Sequence, residues 1–159
     1  MKISLIAAVS PDLVIGRDGD LPWRYPSDMK HFMDTTTGHP CIMGRRTYES
    51  FPRRPLPRRT NLVLTRNSDY ALADGVLRFD NLPEAIAHCR SLQCPVAYVC
   101  GGGGVYHQAL RLADEMVLTH VPDRVDGDTH FPTWKEDEWQ IVDEKSDGGL
   151  RFSIYQRRT

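Results

Sequence analysis

Seven residues near the start of the chain, Ile3-Ser4-Leu5-Ile6-Ala7-Ala8-Val9, form an almost unbroken apolar run. A strand with one wet face alternates polar and apolar residues. A continuous run of this length therefore predicts a strand in mid-sheet, covered on both faces. Such cover normally comes from crossover helices, and the sequence supplies them. Further strands are expected at residues 40–44, 61–65, 76–79, 95–100 and 115–121. Helices are expected at 26–36, at 45–50, after Asn81, and at 105–113. Asn81 with Glu84 three residues on has the pattern of a capping box, Pro83 suits a first turn, and Leu82, Ala85, Ile86, Cys89 and Leu92 supply an apolar face. Residues 139–144 and 150–157 read as a hairpin across Ser146-Asp147-Gly148-Gly149. The sum is an α/β fold: a three-layer, mixed, mostly parallel sheet with flanking helices and an antiparallel C-terminal hairpin.

With 159 residues, 40% of them hydrophobic, the chain is expected to form a single domain over residues 1–159. Twenty basic residues against 21 acidic ones leave a formal charge of −1, so there is no global attraction to nucleic acid or an anionic membrane. Cys41, Cys89, Cys94 and Cys100 show no Cys-x-x-Cys spacing and read as free thiols, consistent with a cytoplasmic protein. The run after Lys2 passes straight into Ser10-Pro11-Asp12 and fits a buried strand better than a secretion signal, and no span reaches membrane length.

The segment that follows holds a carboxylate in unusual company. Pro26 suits a first helical turn, and Met29, Phe32, Met33 and Thr36 then form an inward stripe. Asp28 borders that stripe, with Leu21 and Trp23 on the preceding loop able to close over it. Two readings stand. An acid in a first turn complements the helix dipole; a carboxylate among apolar groups with no neighbouring cation awaits a ligand. The loop over residues 10–24, with Gly16, Gly19, Pro11 and Pro22, has the length of a lid.

Gly101-Gly102-Gly103-Gly104 lies where a strand opens into a helix, which serves either a tight turn or close approach to a phosphate. It fits neither Gly-x-Gly-x-x-Gly nor a P-loop. Gly44-Arg45-Arg46-Thr47 repeats the device with two guanidiniums, and Thr65-Arg66 adds a hydroxyl and a third cation at another strand end. A ligand with several phosphates would explain all three. The loop Pro52-Arg53-Arg54-Pro55-Leu56-Pro57-Arg58-Arg59 is stiff and basic, and lacks the aromatic partners of a nucleic-acid surface beyond Phe51; one fixed arginine binding a carboxylate suits it better. No metal-ligand spacing and no nucleophile motif is present.

Taken together, Ile3-Ser4-Leu5-Ile6-Ala7-Ala8, Val14-Ile15-Gly16, Leu21-Pro22-Trp23, Asp28 with Phe32, Ile42-Met43-Gly44-Arg45, Arg54-Pro55-Leu56-Pro57, the glycine run with Val105-Tyr106, Leu118-Thr119-His120 and Gly127-Asp128-Thr129-His130-Phe131-Pro132 resemble bacterial dihydrofolate reductase in order and approximate spacing. The resemblance spans essentially the whole chain. It implies about eight strands and four helices, and NADPH-dependent reduction of dihydrofolate to tetrahydrofolate in one-carbon metabolism by a monomer open to antifolate-type inhibitors.

It also implies roles. Asp28 holds the amino-pyrimidine edge of the pteridine, supported by Thr119 through water, and Leu21 and Trp23 act with it from the lid. Ile6, Ala8, Met29, Phe32 and Tyr106 line the substrate cleft, Leu56 meets the aminobenzoyl ring, and Arg59 pairs with the glutamate carboxylate. Ala8, Ile15, Gly16, Gly44, Arg45, Arg46, Thr47, Thr65, Arg66, Gly102, Gly103, Gly104, Val105 and Tyr106 surround NADPH, with a cis peptide expected between Gly102 and Gly103. Three departures stand out: Cys100 replaces a branched aliphatic residue, Gly104 a basic one, and an extra residue lies near Phe51-Pro52-Arg53. The competing readings are a same-fold reductase of a riboflavin-pathway pyrimidine and a nucleotide-binding module without turnover.

Overall fold

A computed structural model describes residues 1–159. In chain order the elements are β1 (Lys2–Val9), β2 (Val14–Gly16), α1 (Pro26–Thr36), β3 (Pro40–Gly44), α2 (Arg45–Ser50), β4 (Thr60–Leu64), β5 (Leu77–Phe79), α3 (Leu82–Ser91), β6 (Val96–Val99), α4 (Gly103–Ala109), β7 (Glu115–His120), β8 (Thr129–His130), β9 (Trp139–Asp147) and β10 (Leu150–Arg157). Eight strands form one sheet in the order β5-β4-β3-β6-β1-β7-β10-β9. The apolar run is β1, held parallel between β6 and β7 with Leu5 opposite both Val99 and Met116. β10 runs antiparallel to β7 and to β9, and the remaining neighbours are parallel.

Alternation along β1 separates the core from the cleft. Ile3, Leu5 and Val9 enter a cluster with Leu82, Ala85, Ile86 and Cys89 of α3 and with Tyr106 and Ala109 of α4. Burying a side chain such as Leu5 contributes about 1.5–3 kcal/mol. Ile6 points the other way, into a second cluster with Met43, Val63 and Tyr48, and Ala8 packs beside Trp23. Helices therefore cover both faces, which gives the expected three layers.

The α3 start is as the sequence indicates: Asn81 Oδ1 accepts from the Glu84 backbone N–H at 2.9 Å. Its end is earlier than the apolar spacing suggests. The helix stops at Ser91, so Leu92 is the C-cap and is exposed instead of inward. Helix α1 departs further. Of its predicted stripe only Thr36 is buried, while Met29 and Met33 are 50% and 41% exposed, because the sheet does not close over this helix and its stripe faces an open cleft. The loop over residues 10–24 also contains structure the sequence concealed: β2 pairs with β8 in a separate two-stranded ladder. The hairpin turn is Gly148-Gly149, both at positive φ, the two-residue geometry whose twist matches that of its strands.

Candidate active site

The carboxyl ends of β1, β3, β6 and β7 open onto a cleft of about 1270 Å³, the place where open α/β sheets bind ligands. One bank is α1 with Asp28, Met29 and Phe32; the floor is Ile6 and Ala8 of β1 and Thr119 of β7, which stands opposite Ala8 in the sheet. Leu56, Cys100 and Tyr106 complete the inner wall. Tyr106 is fixed by donating its hydroxyl to the Ile6 carbonyl at 2.6 Å, and burial pushes its phenol far above the usual range.

Asp28 is half-buried and paired with no lysine or arginine. Burial raises its carboxyl above the ordinary carboxylate range, and the Thr119 hydroxyl and the His31 ring pull it back in part. Local spacing shows no partner for this acid; Thr119, which the resemblance sets beside it, lies 91 positions away and comes near it only through the fold. At the other end of the cleft Arg59 is held by its own loop and by α1: Nε donates to the Pro57 carbonyl at 2.9 Å and Nη1 to Thr36 Oγ1 at 3.0 Å. Its guanidinium lies 5.9 Å from the Phe32 ring centroid, has no carboxylate partner, and is pulled below its usual range by burial.

The opposite bank is built from two laced strand exits. The Gly44 N–H donates to the Gly101 carbonyl at 2.9 Å, and the Cys100 N–H to the Ile42 carbonyl at 2.9 Å. Gly101 has φ +121°, and a Cβ on Gly103 would lie 2.8 Å from Thr129 Cγ2, so neither position has room for a side chain without movement. Arg45, Arg46, Thr47, Thr65, Gly102, Gly103, Gly104 and Val105 all face the cleft. Arg45 is partly engaged, 3.7 Å from Glu49 Oε2 and 5.8 Å from the Tyr70 ring centroid. Gly104 faces open space, where a Cβ would meet nothing within 4 Å.

The dihydrofolate reductase sequence profile matches residues 2–156. The chain belongs to the dihydrofolate reductase family. It is 43% identical to the type 3 dihydrofolate reductase of Salmonella typhimurium over 90% of this chain and 86% of that protein. With the dihydrofolate reductase of Haemophilus influenzae it shares 39% identity, covering 99% of this chain and all of the relative. The dihydrofolate reductase of Enterococcus faecalis, solved with NADP(H) and RAB-propyl, superposes with a TM-score of 0.87 at 31% identity, over 99% of this chain and 97% of that one.

One of the residue-level expectations carried by the dihydrofolate reductase resemblance needs correction. The non-proline cis peptide is Gly101–Gly102, one bond earlier than expected, because Gly102 is the N-cap of α4 and Gly103 already its first helical residue. Arg66 is exposed and is the one expected residue that the fold leaves off the cleft wall. β4 ends at Leu64, and Thr65 Oγ1 accepts from the Asn67 N–H at 3.2 Å in a turn that carries Arg66 outward.

The loop over residues 10–24 and the start of α1 carry groups that sequence reasoning missed. The Asp18 N–H donates to Asp128 Oδ2 at 3.0 Å, holding that carboxyl below its usual range, and the Tyr25 hydroxyl donates to Asp123. Trp23 is buried with Val121, Leu150 and Phe152 while Leu21 stays at the exposed rim, and both line the cleft. His31 lines it too. A histidine three residues after Asp28 on a helix was the available signal.

Proposed function

We infer that this chain reduces 7,8-dihydrofolate to 5,6,7,8-tetrahydrofolate with NADPH. The observation that carries the reading is Asp28: a half-buried carboxylate with no cationic partner, in a cleft whose far end holds Arg59, a cation with no anionic partner. A ligand that is cationic or proton-donating at one end and anionic at the other satisfies both, as a pteridine with a glutamate tail does.

The donor set of the opposite bank suits a dinucleotide carrying an extra phosphate. Arg45, Arg46, Thr47 and Thr65 offer charge and hydroxyls, and the glycine turn offers bare backbone. When bound there, NADPH supplies the hydride. The chain's own residues do the rest. Asp28 hydrogen-bonds the pyrimidine edge and stabilises positive charge as the ring nitrogen gains its proton, an interaction stronger in the transition state than in the neutral substrate. Thr119 holds that carboxylate. Ile6, Ala8, Met29, Phe32, Leu56 and Tyr106 position the rings, and Leu21 and Trp23 limit the access of water. Arg59 fixes the tail, which favours a folate over a riboflavin-pathway pyrimidine that has none.

One reductase domain working as a cytoplasmic monomer is part of the proposal; four unpaired cysteines fit a reducing compartment. Mixing the protein with NADPH and dihydrofolate tests it. Loss of the reduced-nicotinamide absorbance that requires both substrates is expected, and its absence in a folded sample overturns the reading.

A further inference from the structure

Arg45 opens α2 at the exit of β3, and two neighbours hold it without occupying its donors. Glu49, one turn on, brings Oε2 to 3.7 Å from its Nη1, an ion pair too long to be a hydrogen bond. The guanidinium carbon lies 5.8 Å from the centroid of the Tyr70 ring. Tyr70 in turn donates its hydroxyl to that same Glu49 oxygen at 2.5 Å. The three groups close a triangle of which only Arg45 lines the cleft. Tyr70 reaches this place by a built turn that starts on the cleft wall. Thr65 Oγ1 accepts from the Asn67 N–H at 3.2 Å, Asn67 Oδ1 from the Asp69 N–H at 3.0 Å, and the Asn67 carbonyl from the Tyr70 N–H at 3.1 Å. Two residues on, Leu72 anchors the loop against the cluster of Met43, Tyr48 and Val63.

We propose that Tyr70 is a positioning residue for Arg45 and, through it, a determinant of cofactor choice: its ring is a shelf that holds the guanidinium at the cleft rim, ready for the phosphate that distinguishes NADPH from NADH. The inference rests on the reading that Arg45 faces NADPH. Arg45 is exposed, and an exposed arginine must give up many rotamers when it binds an anion. Contact with the ring removes part of that ordering cost before the cofactor arrives. The attraction between a cation and an aromatic face also leaves the N–H edge of the guanidinium free for oxygen acceptors, which a hydrogen-bonded carboxylate would occupy. The phenol's bond to Glu49 acts in the same direction, since it satisfies Oε2 and weakens the pull of that carboxylate on Arg45.

The test compares NADPH with NADH in steady-state kinetics. Tyr70→Ala should raise the NADPH KM about two- to fivefold, the range a surface cation–aromatic contact supports, and leave kcat and the NADH KM nearly unchanged. Tyr70→Phe, which keeps the shelf, should return most of that loss. A second readout needs no turnover: by titration calorimetry Tyr70→Ala should weaken adenosine 2′,5′-bisphosphate by the same factor and leave adenosine 5′-monophosphate alone. An NADPH KM unmoved in Tyr70→Ala, equal changes for both cofactors or both nucleotides, or a Tyr70→Phe variant no better than Tyr70→Ala overturns the proposal. Failure of the underlying reading looks different, because the wild-type protein would then itself show no preference for NADPH or for the bisphosphate.

Discussion

Asp28 is stable as an anion only to the extent that something in the cleft rewards its charge. Asparagine at this position keeps the shape and loses the charge. Asp28→Asn should therefore lower turnover at neutral pH at least tenfold, a barrier increase of about 1.4 kcal/mol or more, with NADPH affinity nearly unchanged. Activity should recover as pH falls and more substrate arrives already protonated; steady-state kinetics across pH checks both parts. Arg59 can be tested by ligand choice. Arg59→Ala should weaken folates by about 1.5–3 kcal/mol, roughly ten- to a hundredfold, and leave small pteridines without a tail nearly untouched. Equal losses for both ligands, measured by fluorescence titration, would make the arginine a loop brace through its bonds to Pro57 and Thr36.

At the scale of elements, the glycine turn is the least forgiving part of the site. A branched side chain at Gly103 starts from a Cβ 2.8 Å from Thr129 Cγ2 and 3.5 Å from the His130 carbonyl, so β8 must shift with it. Gly103→Val should cost about 1–3 kcal/mol of stability and raise the NADPH KM several-fold, whereas Gly104→Ala, with open space around its Cβ, should be mild in both. Thermal melts and NADPH kinetics separate the two positions. Elements with strong local signals were legible in the sequence: the buried β1 run, the Asn81 cap and the C-terminal hairpin, although its turn is only Gly148-Gly149 because Ser146 and Asp147 continue the strand. β2 and β8 were not, since three and two residues are too short for any period to register and their pairing spans more than a hundred positions. The α1 stripe was legible as a period but not as a direction. Periodicity marks an apolar face and says nothing about whether sheet or ligand covers it, so Met29 and Met33 were expected inside. Arg66 lies exposed just beyond the cleft wall while its neighbour Thr65 sits on it, a difference that spacing alone does not register.

On the scale of the whole molecule, the site is held at a cost to the fold. Burial raises the Asp28 carboxyl in the folded state, so the folded chain binds this proton more tightly than the unfolded chain. Stability then falls as pH rises from the ordinary carboxylate range through the raised folded value. Asp28→Asn removes that loss. Its melting temperature should exceed wild type at neutral pH, and the advantage should fade below the ordinary carboxylate range; calorimetry at neutral and acid pH checks the sign. A gain in stability together with a loss of turnover is what a functional carboxylate in an apolar cleft entails.

The position of β10 between β7 and β9 sets a timetable for the site. β7 carries Thr119 on the cleft floor, yet its second neighbour is made of residues 150–157, which leave the ribosome after every other strand of the sheet. At roughly 5–20 residues per second, β1 and β7 can be paired while the far edge of β7 still lies bare. During that interval the nascent chain has most of a sheet and an open edge that any other strand could join. Phe152, on which His31 rests, and Leu150, which packs with Trp23 of the 10–24 loop, arrive together with the strand that covers the edge. Protection from mispairing and completion of the cleft therefore come as a single late event, and a chain cut short at Asp147 would have neither.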